Sequence, residues 1–236
     1  MTRQSRSKLG RPAFIAILAS LLLATPFAAT ASSKSRPTCF GKPATFVGTK
    51  GKDHFRGTPG RDVVVMKGGN DKTNTGHGND LICLGGGDDV GHGSEGVNRI
   101  KGGGGDDWLD GRRGEGNKML AGAGNDLVTA EGRITGGAGR DEIYSYGYQD
   151  PSQSPFRDIV GGGDGRDIIS GGPNAELLEG GRSNDVIFAS YGDDHLRGNG
   201  GNDTLRGQAG NDDIDGGSGT DVCDQGSGRG VVSNCP

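Results

Sequence analysis

Long apolar runs are missing from this chain of 236 residues once its first 31 residues are set aside. No later segment approaches the ~20 consecutive apolar residues that a membrane-spanning helix needs, so we expect no membrane span after residue 31. Clustered histidines are missing too. His54, His77, His92 and His195 lie far apart in the sequence, and their spacing is not that of a zinc site.

An excess of basic residues is also missing. The chain carries 26 Lys and Arg residues against 30 Asp and Glu residues, a net charge of −4. Four of the positive charges, Arg3, Arg6, Lys8 and Arg11, lie in the first 31 residues, where there is no acidic residue, so the chain without that segment has a net charge of −8. Such an acidic balance disfavours nucleic acid as a partner.

The first 31 residues have the three parts of a secretory signal peptide. The basic residues are followed by an apolar stretch at 13–24, AFIAILASLLLA, and by the small residues Ala29-Thr30-Ala31. The apolar stretch is too short to span a bilayer comfortably. We therefore expect a signal peptide at 1–31, cleavage after Ala31 and an extracellular, secreted protein. A retained N-terminal anchor is the alternative reading of the same residues.

Glycine, with 50 residues, is what the chain has in excess. The motif Gly-x-Asp occurs thirteen times in phase between Gly51 and Asp221, mostly at intervals of nine. A helix does not fit this pattern, because each interior glycine costs a helix ~1 kcal/mol relative to alanine. Short strands and tight turns do fit, with one carboxylate per turn. Stacked turns would line up carboxylates ~5 Å apart, where they repel without a cation, and hard oxygen ligands indicate calcium.

The clearest copies of the repeat are residues 198–206, GNGGNDTLR, and 207–215, GQAGNDDID. Their consensus, G-x-x-G-x-D-x-U-x with U a large aliphatic residue, resembles the RTX nonapeptide, a calcium-binding repeat. The resemblance covers residues 48–224. It implies an all-β fold, a right-handed parallel β-roll or β-helix solenoid. In such a fold two nonapeptides make one coil, and Ca²⁺ ions lie between stacked turns.

The resemblance also implies one metal-binding carboxylate per turn. Successive carboxylates should alternate between two edges of the roll, so that stacked partners are separated by two repeats, and backbone carbonyls would complete each shell. Asn98, Glu176, Asn174 and Ser183 replace consensus residues and predict weaker sites. The expected ligands are Asp53, Asp62, Asp71, Asp80, Asp89, Asp107, Asp126, Asp141, Asp167, Asp185, Asp194, Asp203, Asp212 and Asp221.

The aliphatic position of each repeat should face the interior. Burial of about one large side chain per nonapeptide stabilises the fold less than the ordering of nine residues costs. We therefore expect a loose chain without calcium and a folded chain with it. The expected interior residues are Phe55, Val64, Ile82, Leu109, Val128, Ile143, Ile169, Leu178, Ile187, Leu196, Leu205 and Ile214.

Regular repeats are predicted at 48–110 and 161–224, with caps at 32–47 and 225–236. The segment 39–45, CFGKPAT, resembles the N-terminal cap of stand-alone secreted RTX-type proteins. Four cysteines in an exported chain favour disulfides, and three pairings are possible. Their placement favours Cys39–Cys83 and Cys223–Cys235, one disulfide at each end of the array.

Residues 111–160 form an irregular region with a Tyr-rich insertion. The step from Asp107 to Asp126 is one residue longer than two repeats, and the step from Asp126 to Asp141 is shorter than two repeats. We expect such slips to misplace one carboxylate of a stacked pair. Tyrosines at 144, 146 and 148 lead into a loop that contains two prolines. They could form a stacking platform for a sugar, or they could cover the interior at a break in the coil.

The leading interpretation is a secreted calcium-binding β-roll protein without enzymatic activity. One alternative is a calcium-dependent adhesion module that binds a cell-surface or extracellular glycan. The other is a polysaccharide-active enzyme of the lyase or epimerase kind, although no ordered motif joins its candidate residues. Classical RTX toxins, proteases and lipases carry an effector domain ahead of their repeats, so their activities are not transferred to this chain. The candidate catalytic residues are Arg140, Asp141, Tyr144, Tyr146, Asp150 and Arg157.

Overall fold

The computed structural model describes residues 35–114, 116–147 and 158–236. The chain divides into a unit at Met1–Ser35, of which only Ser35 is described, and a compact unit at Arg36–Pro236. The predicted signal peptide at 1–31, Tyr148 and the proline-containing loop at 149–155 lie outside the described residues. Within the described ranges, no helix is long and apolar enough to cross a membrane.

Two parallel sheets form the walls of a solenoid, which confirms the all-β parallel β-roll predicted from the repeats. The chain visits the sheets in turn, so each strand pairs with the strands two before and two after it. A short antiparallel pair, β1 (Thr38–Cys39) and β2 (Lys42–Pro43), precedes the sheets. The even sheet contains β4 (His54–Arg56), β6 (Lys72–Asn74), β8 (Val90–His92), β10 (Trp108–Gly111), β12 (Leu127–Ala130), β14 (Glu142–Ser145), β16 (Ile168–Ser170), β18 (Val186–Tyr191), β20 (Thr204–Ala209) and β22 (Val222–Asp224). The odd sheet contains β3 (Phe46–Val47), β5 (Val63–Val65), β7 (Leu81–Gly86), β9 (Arg99–Gly104), β11 (Asn117–Ala123), β13 (Gly132–Ala138), β15 (Asp158–Asp164), β17 (Glu176–Arg182), β19 (His195–Gly200), β21 (Asp213–Ser218) and β23 (Val232–Ser233).

Strand pairing continues through the irregular region without a gap. In the regular coils the register advances by two repeats, as from Val186 to Thr204. In the irregular region the even strands β10, β12, β14 and β16 still pair in order. Trp108 pairs with Leu127, Leu127 with Glu142, and Glu142 with Ile168. The first of these steps is one residue longer than two repeats, the second is shorter, and the third is much longer. Each coil therefore adjusts its length and still returns to the same register.

All three length changes lie on one side of the solenoid. We call the turns that lead into the even sheet the even edge and the turns that lead into the odd sheet the odd edge. The extra residue lies between β10 and β11, the shortened turn between β12 and β13 is Glu131 alone, and the insertion lies between β14 and β15. On the even edge the spacing stays constant: the interior residue of each odd strand is followed nine positions later by that of the next even strand, as with Met119 and Val128.

The middle residue of each strand segment faces inward, because alternate side chains of a strand point to opposite faces. The predicted interior residues are fully buried, apart from Phe55, which is partly buried. Ile100, Met119, Ile134 and Val160 complete the same row. In the N-terminal coils, Met66 and Leu84 add a second buried layer. Apart from the buried Ala189, the equivalent C-terminal positions are glycines, as at 180, 198 and 216, so the C-terminal core is thinner.

Both predicted disulfides are present, one at each end of the solenoid. Cys39–Cys83 joins the β1–β2 pair to β7, with a Cα–Cα distance of 5.7 Å. Cys223–Cys235 joins β22 to the tail after β23, with a Cα–Cα distance of 6.0 Å. Because solenoids depend on capping of their terminal coils, these bonds stabilise the ends at which stacking stops.

Candidate metal centre

One continuous row of aspartates runs along the even edge. The backbone N–H of Asp185 donates to Oδ1 of Asp203, and the N–H of Asp203 donates to Oδ1 of Asp221, each over 2.8 Å. The same contact links each aspartate to the next one in the adjacent coil. The full row is Asp53, Asp71, Asp89, Asp107, Asp126, Asp141, Asp167, Asp185, Asp203 and Asp221.

The expectation that register slips misplace carboxylates is wrong for the even edge. Asp107 donates its N–H to Asp126 across the lengthened step, and Asp126 donates to Asp141 across the shortened one. Asp141 then donates to Asp167 across the insertion. The row survives because the additions and deletions all lie on the opposite edge.

The odd edge carries a second row, which has aspartates at both ends and mostly other residues in the middle. Asp62 donates to Asp80 over 2.9 Å, and Asp194 donates to Asp212 over 3.0 Å, as their separation by two repeats predicts. Between these ends the row contains Asn98 and Glu176, which the spacing identified as replacements of the aspartate. It also contains three residues that the spacing does not identify, Asn117, Gly132 and Asp158.

The second carboxyl oxygens are the unusual feature of both rows. Buried polar atoms nearly always find a hydrogen-bond partner. Among the described residues, however, twelve aspartates keep a buried Oδ2 that accepts no hydrogen bond, and Glu176 keeps such an Oε1. These aspartates are Asp71, Asp80, Asp89, Asp107, Asp126, Asp141, Asp167, Asp185, Asp194, Asp203, Asp212 and Asp221.

Glycines leave room for a ligand beside these oxygens. A Cβ built on Gly162 would lie 2.3 Å from Oδ2 of Asp167 and 2.6 Å from the carbonyl oxygen of Gly180 in the next coil. A carboxyl oxygen and a carbonyl oxygen thus converge beside this glycine. At the equivalent positions before Asp126 and Asp194, Ala121 and Ala189 show that the coil can also accommodate a methyl group. The same convergence recurs above Gly102, Gly136, Gly180, Gly198 and Gly207.

This donor set consists of oxygen atoms, which hard cations such as calcium prefer. In the ranges that the structure describes, no three His, Cys, Asp or Glu side chains converge on one point. A cation at a turn would therefore take one or two carboxylates and complete its shell with backbone carbonyls. The residues present fit a calcium ion, with ligands from two successive coils.

When no cation is bound, burial raises the pKa of aspartate side chains in both rows. Loss of solvation raises the pKa of Asp89 to about 6. Loss of solvation, together with the smaller effect of the stacked carboxylates in neighbouring coils, raises the pKa of Asp107, Asp141, Asp185 and Asp194 to about 7. Each accepted backbone N–H opposes this increase in pKa.

Asp53 and Asp62, at the start of the two rows, differ from the others. The hydroxyl of Thr49 donates to Oδ2 of Asp53 over 2.8 Å, and the N–H of Thr58 donates to Oδ2 of Asp62 over 2.8 Å. The backbone and side-chain hydrogen bonds from Thr49 lower the pKa of Asp53. These two carboxylates already have donors from the protein.

The residues considered for an enzymatic role have separate environments. Asp141 is buried in the even-edge row, and Arg140 beside it is exposed. The hydroxyl of Tyr144 donates to the carboxylate of Glu142, and Tyr146 is half exposed. The remaining two candidates, Asp150 and Arg157, lie outside the described residues.

The sequence model of the RTX calcium-binding nonapeptide repeat matches seven segments of the chain: 45–72, 84–117, 92–128, 133–147, 155–187, 170–205 and 188–223. Together these segments cover more than half of its length. No curated protein matches the chain. From the coils, the rows of buried carboxyls and the matched segments, we conclude that the chain belongs to the family of RTX calcium-binding nonapeptide repeat proteins.

Proposed function

We propose that this is a secreted calcium-binding β-roll protein, without enzymatic activity, whose folding is driven by Ca²⁺ between stacked turns. The observation that carries the proposal is the set of buried carboxyl oxygens without a hydrogen-bond partner. The twelve aspartates of that set and Glu176 would hold the ions, together with backbone carbonyls. Asp53 and Asp62, which accept hydrogen bonds from Thr49 and Thr58, would be weaker positions.

Calcium would supply the positive charge that the rows lack. Without it, carboxylates of neighbouring coils repel one another in a buried setting, where charges are poorly screened. The thin core cannot offset this repulsion together with the ordering of the glycine-rich backbone. Binding of the ion and folding would therefore be one event.

The other parts of the proposal concern the ends and the compartment. Residues 1–31 would act as a signal peptide, residues 32–47 and 225–236 as caps, and residues 48–110, 111–160 and 161–224 as regular, irregular and regular repeats. Support for export comes from the two disulfides, because such bonds form and persist in oxidising compartments. Millimolar calcium outside cells is also the range in which extracellular calcium modules bind, with Kd of ~10⁻⁴–10⁻³ M.

The first prediction concerns calcium-driven folding. The mature chain in chelator should show little β signal in far-UV circular dichroism, and ~10 mM calcium should restore it, since this concentration lies above the Kd range of extracellular modules. Magnesium at the same concentration is the control, because it dehydrates reluctantly and demands a tighter octahedral shell. Identical spectra in chelator and in calcium would refute the proposal.

Two variants test whether the rows define the sites. Asp203→Ala removes one buried carboxyl and leaves the N–H of Asp185 without its acceptor, so it should raise the calcium midpoint of folding roughly threefold or more. Asp164→Ala is the matched control, because the Asp164 side chain is 60% exposed and pairs with Arg182 on the surface. Equal midpoints for the two variants would show that the rows are not the calcium sites.

One observation favours adhesion to a glycan as a second candidate function. Tyr144, Tyr146 and Tyr191 line a cavity of about 410 Å³ at the ends of β14, β16 and β18. Tyr146 is 50% exposed and Tyr191 is 66% exposed, so both rings are accessible to a ligand. Ser170 and Ser190 also line the cavity. Aromatic faces beside hydroxyl groups suit the apolar and polar faces of a sugar ring.

Binding to immobilised polysaccharides in calcium tests this second function. Tyr191→Ala should abolish retention on the polysaccharide that binds the wild-type chain, with no change in the calcium midpoint. Trp108→Ala, which removes another exposed aromatic residue of the same sheet, should leave retention unchanged. Equal retention of all three proteins would exclude the tyrosine cavity as the site. Release of unsaturated products from an acidic polysaccharide would instead favour a lyase.

A further inference from the structure

Asn98 stands in the odd-edge row at a position where other coils have an aspartate. It is fully buried. Its Oδ1 accepts the N–H of Asp80 over 2.9 Å, as an aspartate Oδ1 does elsewhere in the row. Its Nδ2 donates to the carbonyl oxygens of Gly93 and Gly96 over 3.0 and 3.1 Å. The Asn98 side chain is therefore fully satisfied by the protein.

The orientation of this amide follows from its partners. An amide has one oxygen that accepts and one nitrogen that donates two hydrogens. If the group were rotated by half a turn, Nδ2 would face the N–H of Asp80 and Oδ1 would face the two carbonyl oxygens. Both contacts would be repulsive, so the hydrogen-bond pattern admits only the orientation described.

The amide nitrogen occupies the place of a carboxyl oxygen in the aspartate turns. A Cβ built on Gly93 would lie 2.8 Å from Nδ2 of Asn98, just as a Cβ on Gly102 would lie 2.3 Å from Oδ2 of Asp107. In the asparagine turn, two carbonyl oxygens converge on an N–H donor. In an aspartate turn of the same geometry, these oxygens would face an anionic oxygen instead, and a bound cation would hold them together.

Asn117 repeats the arrangement one coil later, in a turn that is one residue longer. Its Oδ1 accepts the N–H of Asn98 over 2.8 Å. Its Nδ2 donates to the carbonyl oxygen of Gly111 over 2.7 Å and also to that of Gly114. At Asp158, further along the same edge, the hydroxyl of Ser145 donates to the second carboxyl oxygen.

We propose that the turns of Asn98 and Asn117 bind no calcium, because their side-chain amides take the place of the ion. The inference rests on the proposed function of the aspartate turns. It divides the odd-edge calcium row into Asp80 and the weaker position Asp62 on one side and Glu176, Asp194 and Asp212 on the other, whereas the even-edge row is continuous. The coils around Asn98 and Asn117 thus bind calcium along one edge alone and are closed by the protein's own hydrogen bonds along the other.

The test is to convert an asparagine turn into an aspartate turn. Asn98→Asp should bind one more calcium ion per chain than the wild type, counted by native mass spectrometry in calcium and confirmed by equilibrium dialysis. It should also need more calcium to fold, because the amide hydrogens no longer satisfy Gly93 and Gly96. Asn117→Asp should behave in the same way. Asp203→Asn, the reverse exchange on the even edge, should bind one ion fewer.

Each outcome of the test has a distinct meaning. If the wild-type chain binds no calcium, the proposed function fails. If the wild type binds calcium but Asn98→Asp and Asn117→Asp bind the same number of ions as it does, the proposed function stands and this inference is overturned. Failure of both variants to fold at any calcium concentration would also overturn it, because a turn that can exchange an amide for a cation must accept the aspartate once calcium is present.

Discussion

Gly162→Ala should unfold the protein at calcium concentrations that leave Gly161→Ala fully folded. The two glycines are neighbours in β15, but Gly162 faces the interior and Gly161 faces outward. The added methyl group of Gly162→Ala would lie 2.3 Å from Oδ2 of Asp167 and 2.6 Å from the carbonyl oxygen of Gly180. We expect a loss of about 3 kcal/mol in the free energy of unfolding in calcium, because the overpacking pushes these two calcium ligands apart.

Gly161→Ala is a sharp control because it adds the same methyl group to the same strand. A Cβ at Gly161 meets no atom within 4 Å. Its effect should be neutral or stabilising by ~0.5–1 kcal/mol, since alanine loses less backbone entropy on folding than glycine. Chemical unfolding in saturating calcium measures both variants. If Gly162→Ala were as stable as Gly161→Ala, position 162 would accept a methyl group as the equivalent positions Ala121 and Ala189 do, and the close contact with Asp167 would not limit stability.

Acid should partly replace calcium in stabilising the fold. In the calcium-free fold, the pKa of Asp107, Asp141 and Asp185 is raised from the usual 3.8 to about 7, chiefly by burial. The folded chain therefore binds more protons than the unfolded chain between these two pKa values. The free energy of unfolding rises as the pH falls through about 7, and this gain is lost as the pH rises above it.

Far-UV circular dichroism of the chelated protein measures this pH effect. Between about pH 8 and about pH 5.5, the calcium-free chain should recover part of the β signal that it lacks at neutral pH, because several linked carboxyls become protonated in the fold. In saturating calcium, acidification should instead lower the Tm, since protons compete with the ion for the same oxygens. A calcium-free β signal that does not rise on acidification would show that the rows are not buried in the folded state.

The repeat pattern predicted the walls and the interior of the solenoid well because both depend on local spacing. An aliphatic residue two positions after each Gly-x-Asp aspartate always faces inward, so Leu196, Leu205 and Ile214 could be placed from sequence. Ile100, Met119 and Val160 could not, since none of them follows a Gly-x-Asp motif. The strand pairing identifies them as interior residues.

The sequence predicted most of the residues of the candidate site, but it did not predict that the even-edge row of aspartates is unbroken. A count of nine loses phase after Asp107, yet Asp126 and Asp141 remain in the even-edge row. The reason is that the two edges tolerate length changes differently, and one sequence cannot show which edge takes an insertion. Asn117 and Asp158 were also missed. They lie on the edge that takes the length changes, and neither follows a Gly-x pair.

In the odd sheet the strands become shorter toward both ends of the stack, and this taper bears on self-association. The middle strands of that sheet, such as β11 and β17, have seven residues, whereas its outermost strands β3 and β23 have two each. The outermost strands of the even sheet, β4 and β22, have three residues each. The unpaired edge of a terminal strand is a template on which another chain can add and extend a fibre. A template of two or three residues offers too few backbone hydrogen bonds to hold a second copy. The short terminal strands therefore hinder end-to-end addition of further copies, which the repeat would otherwise allow without limit.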